Sequence, residues 1–114
     1  LAMPLTLEDA RAAGATLGSG VVLVLDDGVD VGAVLRRIAA FFRDESCGQC
    51  VPCRVGTVRQ EELVARLTRG APREGDLALL RELSQVMRDA SICGLGQTAS
   101  SAVESAVVRL KVLE

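Results

Sequence analysis

The residues best suited to chemistry are four cysteines, three of which stand close together. Cys47, Cys50 and Cys53 form a C-x2-C-x2-C pattern, and Cys93 lies far downstream. Three thiolates from one tight loop can each bind one iron of a cubane cluster, and the fourth iron then needs a cysteine from elsewhere in the fold. The pattern therefore favours a cysteine-ligated 4Fe–4S site.

Two other kinds of site use the same residue type. A structural zinc ion can take four cysteine ligands, but these usually come as two separate C-x2-C pairs rather than as three plus one. Disulfides form in oxidising compartments, and the sequence has no charged start and apolar stretch typical of a secretory signal. We expect iron–sulfur binding, and the alternative is a zinc-stabilised four-cysteine interaction domain without redox function.

Residues around the cysteine loop suit a negatively charged cluster. Gly48 permits a positive φ and Pro52 stiffens the turn, so that backbone N–H groups can point towards cluster sulfurs. Arg54, with Arg43 and Arg59 nearby, is expected to offset the charge of four thiolates. Helix N-termini that face the site would add to this effect.

The composition excludes several other functions. The 114 residues include no histidine, and aromatic residues make up only 2%, so a histidine base is impossible. The formal net charge is −2 without a basic stripe, which argues against a nucleic-acid partner. The longest strictly apolar runs, Val21–Leu25 and Ile38–Phe42, are far too short to insert into a membrane. We expect a reduced, cytoplasmic setting.

Four amphipathic helices are predicted to hold the cysteines, because apolar residues recur at helical spacing. The first predicted helix is capped by Asp30 and reaches Phe42, and the second runs from Gly56 to Arg69. The third is capped by Asp76 and reaches Ala90, and the fourth runs from Ala99 to Leu113. Their predicted core comprises Val31, Val34, Leu35, Ile38, Phe41, Phe42, Val58, Leu63, Val64, Leu67, Leu80, Leu83, Met87, Ala90, Val103, Ala106, Val107, Leu110 and Leu113.

The joins between these helices are expected to meet. Segment 71–75 connects the second helix to the third, and all four cysteines fall in the other two joins. In an antiparallel bundle these two joins lie at the same end. The topology is therefore predicted to bring Cys93 to the other three cysteines.

Residues 1–28 are predicted to form a separate piece. Thr6 can cap a short helix over Leu7–Ala13, and the glycine turn at 18–20 precedes a predicted strand, Val21–Leu25. A single strand must pair with another. Because the chain also starts with Leu1 rather than Met, we expect a piece of a longer protein. The predicted fold is mainly α, with a helix–strand piece followed by a four-helix bundle over 29–114 that carries the cluster in its end loops.

Two segments, Glu45–Thr57 and Ser91–Thr98, resemble the C-terminal iron–sulfur region of the NADH-oxidising flavoprotein subunit family of respiratory complex I. That family includes diaphorase subunits of NAD-reducing hydrogenases and beta subunits of NAD-dependent formate dehydrogenases. The resemblance covers nearly the whole chain, and Leu17–Leu25 resembles the end of the family's ubiquitin-like (SLBB-type) domain. Gln49, Val51 and the tail after Thr98 look closer to the formate dehydrogenase branch.

The resemblance implies a function and a set of partners. Cys47, Cys50, Cys53 and Cys93 would bind one 4Fe–4S cluster that passes electrons between FMN and clusters of partner subunits. The family's FMN and NAD sites lie in an earlier domain, so no catalytic, flavin or nucleotide residue is assigned in this chain. The implied partners are iron–sulfur subunits of an NAD-linked oxidoreductase, including a thioredoxin-like 2Fe–2S subunit and a molybdopterin subunit.

Overall fold

Helices make up most of the computed structural model, which describes residues 3–18 and 20–113. Within these residues no β-strand forms, and no helix is long and apolar enough to cross a membrane. The prediction of a mainly α fold is confirmed. The helices are α1 (Leu7–Ala12), α2 (Val31–Asp44), α3 (Val51–Thr68), α4 (Asp76–Ala90), α5 (Gly94–Thr98) and α6 (Ser101–Ser105), followed by a π-helical segment (Ala106–Leu110).

Two predicted caps start helices as expected. The Thr6 hydroxyl accepts the Asp9 N–H at 3.1 Å at the start of α1. The Asp30 carboxylate accepts the Ala33 N–H at 3.0 Å at the start of α2. Each bond satisfies one of the N–H groups that the first helical turn leaves without a partner.

The start of α3 differs from the prediction. The helix begins at Val51 rather than Gly56, with Cys50 as its N-cap residue and Pro52 in its first turn. Proline suits this place because first-turn N–H groups have no partner within the helix. As a result Cys53 lies inside the helix, and the prediction that all four cysteines fall in joins is wrong for this residue.

The start of α4 lies one residue from the predicted place. Gly75 is the N-cap residue, with a left-handed φ of 86°, and Asp76 is the first residue of the helix. The Asp76 carboxylate accepts the Arg73 N–H at 2.9 Å and binds the Arg66 guanidinium of α3. Asp76 therefore joins α4 to α3, and segment 71–75 is the connector that was predicted.

The predicted fourth helix is wrong in its start and its continuity. The chain resumes helical structure at Gly94, turns at Ala99 and Ser100, and continues through α6 into the π-helical segment. Glycine, serine and threonine dominate residues 94–101, and these residues favour helices weakly. The uniform bundle of four long helices is consequently replaced by three long helices and a broken fourth segment.

The core lies where the long helices and the broken segment meet. α3 packs against both α2 and α4, and α6 packs against α2 and α4. The main hydrophobic core consists of Leu35, Leu63, Val64, Leu80, Val103, Ala106, Val107 and Leu113. Four predicted core residues are exposed instead, namely Phe41, Val58, Ala90 and Leu110. Phe41 is 55% exposed because the buried side of α2, which carries Leu35 and Ala39, faces α3 and Phe41 lies outside this contact.

The predicted strand Val21–Leu25 is wrong. Its side chains are between 47% and 91% exposed, and no described segment pairs with it. A strand exists only when its backbone bonds to a neighbour, so this apolar run remains irregular. In the predicted glycine turn, Gly18 and Gly20 have φ values of 49° and 80°, while Ser19 lies outside the described residues.

Candidate metal centre

The four predicted site residues surround one cavity of about 230 Å³. Cys53 is buried, Cys50 is half-buried, and Cys47 and Cys93 are exposed, so the cavity has a closed side at α3 and an open side. The expectation that the topology would bring Cys93 to the other three cysteines is confirmed. The remaining lining residues are Glu45, Ser46, Gln49, Ile92 and Leu95.

Two of the cysteines occupy the N-cap positions of helices. Cys50 precedes α3 and Cys93 precedes α5, both in extended backbone conformation. Neither side chain is assigned a capping hydrogen bond within the described part of the chain. Free N–H groups of a first helical turn carry partial positive charge, which stabilises a nearby thiolate.

Backbone N–H groups from both cysteine segments face Cys50. The Ile92 N–H lowers the pKa of the Cys50 thiol most, followed by the Cys53 N–H, against an opposing contribution from burial. The Cys50 N–H acts in the same direction. Because thiolates are the form that binds metals, this environment prepares Cys50 as a ligand.

The loop before α3 is held by a small set of polar contacts. Gly48 has a φ of 76°, a left-handed conformation that glycine adopts without strain. Its carbonyl accepts the Arg54 guanidinium at 3.2 Å, and its N–H donates to the Ser46 hydroxyl at 3.4 Å. The same hydroxyl lies 3.3 Å from the Cys53 sulfur.

Of the three arginines that were expected to offset the charge of the thiolates, Arg54 is the one that contacts this loop in the described residues. Arg43 binds Asp44 and Glu61, and Arg59 binds Glu62. A guanidinium already paired with a carboxylate contributes little net positive charge to a more distant site. Arg54 is therefore the side chain best placed to offset cluster charge.

Close packing places the Cys93 segment against α3. A Cβ added to Gly96 would lie 2.6 Å from the Ser91 Cβ and 2.9 Å from the Cys53 Cβ, closer than side chains can approach. The Gln97 amide also donates to the Ser91 carbonyl at 3.0 Å. Three residues of the site, Ser46, Ser91 and Gly96, were not predicted. Their signal in the sequence is their position within a few residues of the cysteines.

A second polar contact holds this segment from the core. The Gln60 amide of α3 is fully buried and donates to the Ala99 carbonyl at 2.9 Å, at the turn between α5 and α6. Gln60 Oε1 has no hydrogen-bond partner in the described residues. This bond ties the end of α5 to the helix that carries Cys53.

The cysteines supply the donor set that a cysteine-ligated iron–sulfur cluster requires. In residues 3–18 and 20–113, no three Cys, Asp or Glu side chains converge on a position for a single metal ion. The cavity of about 230 Å³ has the four cysteines around it. These residues could hold an iron–sulfur cluster.

Comparison with known proteins identifies the family of the chain. Residues 33–111 match the model of the NADH-ubiquinone oxidoreductase-F iron-sulfur binding region, and the chain belongs to this family. The resemblance drawn from the two cysteine segments is thereby confirmed at the level of the family.

Three relatives indicate the range of the family. The chain is 37% identical over 98 residues to the NADP-reducing hydrogenase subunit HndC of Solidesulfovibrio fructosivorans, covering 86% of the chain and 20% of that protein. It is 38% identical over 81 residues to the mitochondrial NADH-ubiquinone oxidoreductase 51 kDa subunit of Neurospora crassa, covering 71% and 16%. The corresponding 51 kDa protein of Aspergillus niger is 36% identical over 81 residues, again covering 71% and 16%. The chain thus spans a fifth or less of the length of these three relatives.

Proposed function

We propose that this chain is an electron-transfer region that binds one 4Fe–4S cluster through Cys47, Cys50, Cys53 and Cys93. The observation that carries the proposal is the placement of all four cysteines around one cavity. Membership of an iron–sulfur binding family supports the same ligand chemistry. When bound, the cluster would accept and release single electrons.

The protein's own residues would set the environment of the cluster. The N-terminal N–H groups of α3 and α5 and the Arg54 guanidinium would stabilise its negative charge. Leu95 is half-buried and adds an apolar side chain to the lining, which would limit the access of water on that side of the cavity. Cys53, buried in the first turn of α3, would anchor the cluster to the core.

We further propose that the chain works within an NAD-linked oxidoreductase of the formate dehydrogenase type in the cytoplasm. The names of the relatives support an oxidoreductase, and Gln49 and Val51 support the formate dehydrogenase branch. FMN and NAD would bind outside this chain, and residues 1–28 would complete a ubiquitin-like domain. The electron-transfer partners would be a thioredoxin-like 2Fe–2S subunit and a molybdopterin subunit.

The parent complex can be identified by purifying the tagged protein from its own source and determining its partners by mass spectrometry. We expect a molybdopterin subunit together with a thioredoxin-like 2Fe–2S subunit. A nickel-containing hydrogenase subunit, or membrane proton-pumping subunits, in place of the molybdopterin subunit would contradict the formate dehydrogenase assignment and leave the cluster proposal intact.

Spectroscopy of anaerobically purified protein tests the cluster itself. We expect a broad visible absorbance that dithionite bleaches and a low-temperature EPR signal that appears on reduction. Cys50→Ala should lose both signals, whereas Ser84→Ala, which alters a buried serine of α4, should keep them. A colourless wild-type protein with bound zinc would support the interaction-domain alternative instead.

A further inference from the structure

Two serine hydroxyls lie at the cysteine site without a complete set of partners. Ser46 Oγ is 3.3 Å from the Cys53 sulfur and also accepts the Gly48 N–H at 3.4 Å. The Ser46 oxygen accepts the Gly48 N–H, so the proton of the hydroxyl remains available for another hydrogen bond. We therefore take the Ser46 hydroxyl as the donor and the Cys53 sulfur as the acceptor. A thiolate at Cys53, which can only accept, requires that direction.

The second hydroxyl belongs to Ser91, behind the cavity wall. Ser91 is 6% exposed, and its Oγ is buried without a hydrogen-bond partner among the described residues. Buried hydroxyls normally have a partner. Atoms of Ser91 and the Cys53 Cβ all lie within 3 Å of the point that a Cβ on Gly96 would occupy, so the Ser91 hydroxyl is close to the Cys53 side chain.

We propose that, in the cluster-bound protein, the Ser46 hydroxyl donates a hydrogen bond to the Cys53 sulfur and the Ser91 hydroxyl donates one to a sulfur of the same site. These bonds would raise the reduction potential of the cluster. This inference rests on the proposed function. Ser46 lies in the join before α3 and Ser91 in the join before α5, so each cysteine segment contributes one donor.

The direction of the effect follows from charge. Reduction adds one electron, and therefore one negative charge, to the cluster and its four thiolates, while no bond to serine forms or breaks. A hydrogen-bond donor stabilises the more negative state more strongly. Removal of either hydroxyl should therefore make the cluster harder to reduce.

A potentiometric titration followed by EPR, with dithionite as the reductant, measures this effect. We compare the wild type with Ser46→Ala and Ser91→Ala, each of which removes one hydroxyl and adds no bulk. At the wild-type midpoint, we expect the ratio of reduced to oxidised cluster to fall by about twofold to fivefold in each variant, because only the difference in the strength of one hydrogen bond between the two redox states shifts this ratio. Ser46→Thr retains a hydroxyl and should restore the wild-type midpoint.

Ser84→Ala is the matched control. Ser84 is also fully buried, but its hydroxyl donates to the Leu80 carbonyl at 2.8 Å, within α4. Its removal should leave the midpoint unchanged. If Ser46→Ala and Ser91→Ala bind the cluster with the wild-type midpoint, the inference is overturned and the proposed function stands. A wild-type protein that binds no cluster overturns both.

Resonance Raman spectra provide a second readout that does not depend on the stability of the Ser91 variant. The iron–thiolate stretching bands of the wild type should shift when H₂O is replaced by D₂O, because O–H donors to sulfur become O–D donors. The shift should be smaller in Ser46→Ala and unchanged in Ser84→Ala. Equal shifts in wild type and Ser46→Ala would show that Ser46 donates no bond to sulfur.

Discussion

Cys50 and Cys93 are the N-cap residues of two different helices, α3 and α5, and their side chains line the same cavity. The Ile92 N–H, next to Cys93, is the largest cause of the lowered pKa of Cys50. Groups of both cysteine segments therefore act on the same thiol, although the segments are far apart in the sequence. Under the proposed function, Cys93 is needed as much as the cysteines of the loop.

Cys93→Ala should lose the cluster as completely as Cys50→Ala, since each change removes one of the four thiolates. The chain has no histidine that could replace the missing ligand. Iron and sulfide analysis of the two variants, purified anaerobically, makes the comparison, and circular dichroism checks that both remain helical. A Cys93→Ala protein with a full 4Fe–4S cluster would contradict the geometry that joins the two segments.

Gly96→Ala should weaken the packing between the Cys93 segment and α3. The added methyl group would collide with the Cβ atoms of Ser91 and Cys53, at 2.6 and 2.9 Å. We expect the free energy of unfolding to fall by about 1–3 kcal/mol, the usual cost of such crowding, and the cluster to be lost more quickly on exposure to air.

Gly94→Ala is the control for this change. None of the described residues places an atom within 4 Å of a Cβ at Gly94, and the residue is helical. Alanine should therefore change the stability by less than about 1 kcal/mol, and in the favourable direction. Equal destabilisation by the two substitutions in urea unfolding would show that the contact at Gly96 does not matter.

Gln60→Glu should destabilise the core in a way that depends on pH. The new carboxylate would face the Ala99 carbonyl, which now accepts the Gln60 amide, and burial without a donor raises the pKa of a carboxyl group. The loss of stability should exceed about 1–3 kcal/mol at pH 7 and become smaller as the pH falls towards 4, where the group is protonated. Gln85→Glu, on an exposed part of α4, should have little effect at either pH.

The ion pair between Asp76 and Arg66 should contribute stability that acid removes. The Arg66 guanidinium, and then the Arg73 N–H, lower the pKa of Asp76 from 3.8 to about 2. Since the folded pKa lies below the unfolded one, the contribution is complete above about pH 5 and is lost as the pH falls towards 2. Asp76→Asn should lower the melting temperature at pH 7 and flatten its dependence on pH in this range. An unchanged slope would contradict the pairing.

The sequence was informative where apolar spacing is regular. α2 and α4 were predicted with small errors at their ends, because buried residues recur at helical spacing within each helix. These are Leu35 and Ala39 in α2, and Leu80 and Met87 in α4. The meeting of Cys93 with Cys50 was predicted from topology alone. It holds although the last segment is broken, because α4 returns the chain to the end of the fold where α3 begins.

Features that depend on distant partners could not be predicted in this way. Thr57 and Gln60 are fully buried although they are polar, because their side chains bond to the carbonyls of Cys53 and Ala99. The early start of α3 had a local signal in Pro52, which favours a first helical turn. The apolar run at Val21–Leu25 indicated a strand, but no described segment supplies the necessary partner.

The most direct test of the central proposal is the metal and sulfide content of the natively expressed protein, purified without oxygen. Iron, zinc and acid-labile sulfide are measured on the same sample and related to the protein concentration. We expect four iron atoms and four sulfides per chain and negligible zinc. One zinc per chain without acid-labile sulfide would contradict the cluster and identify the four cysteines as a structural zinc site.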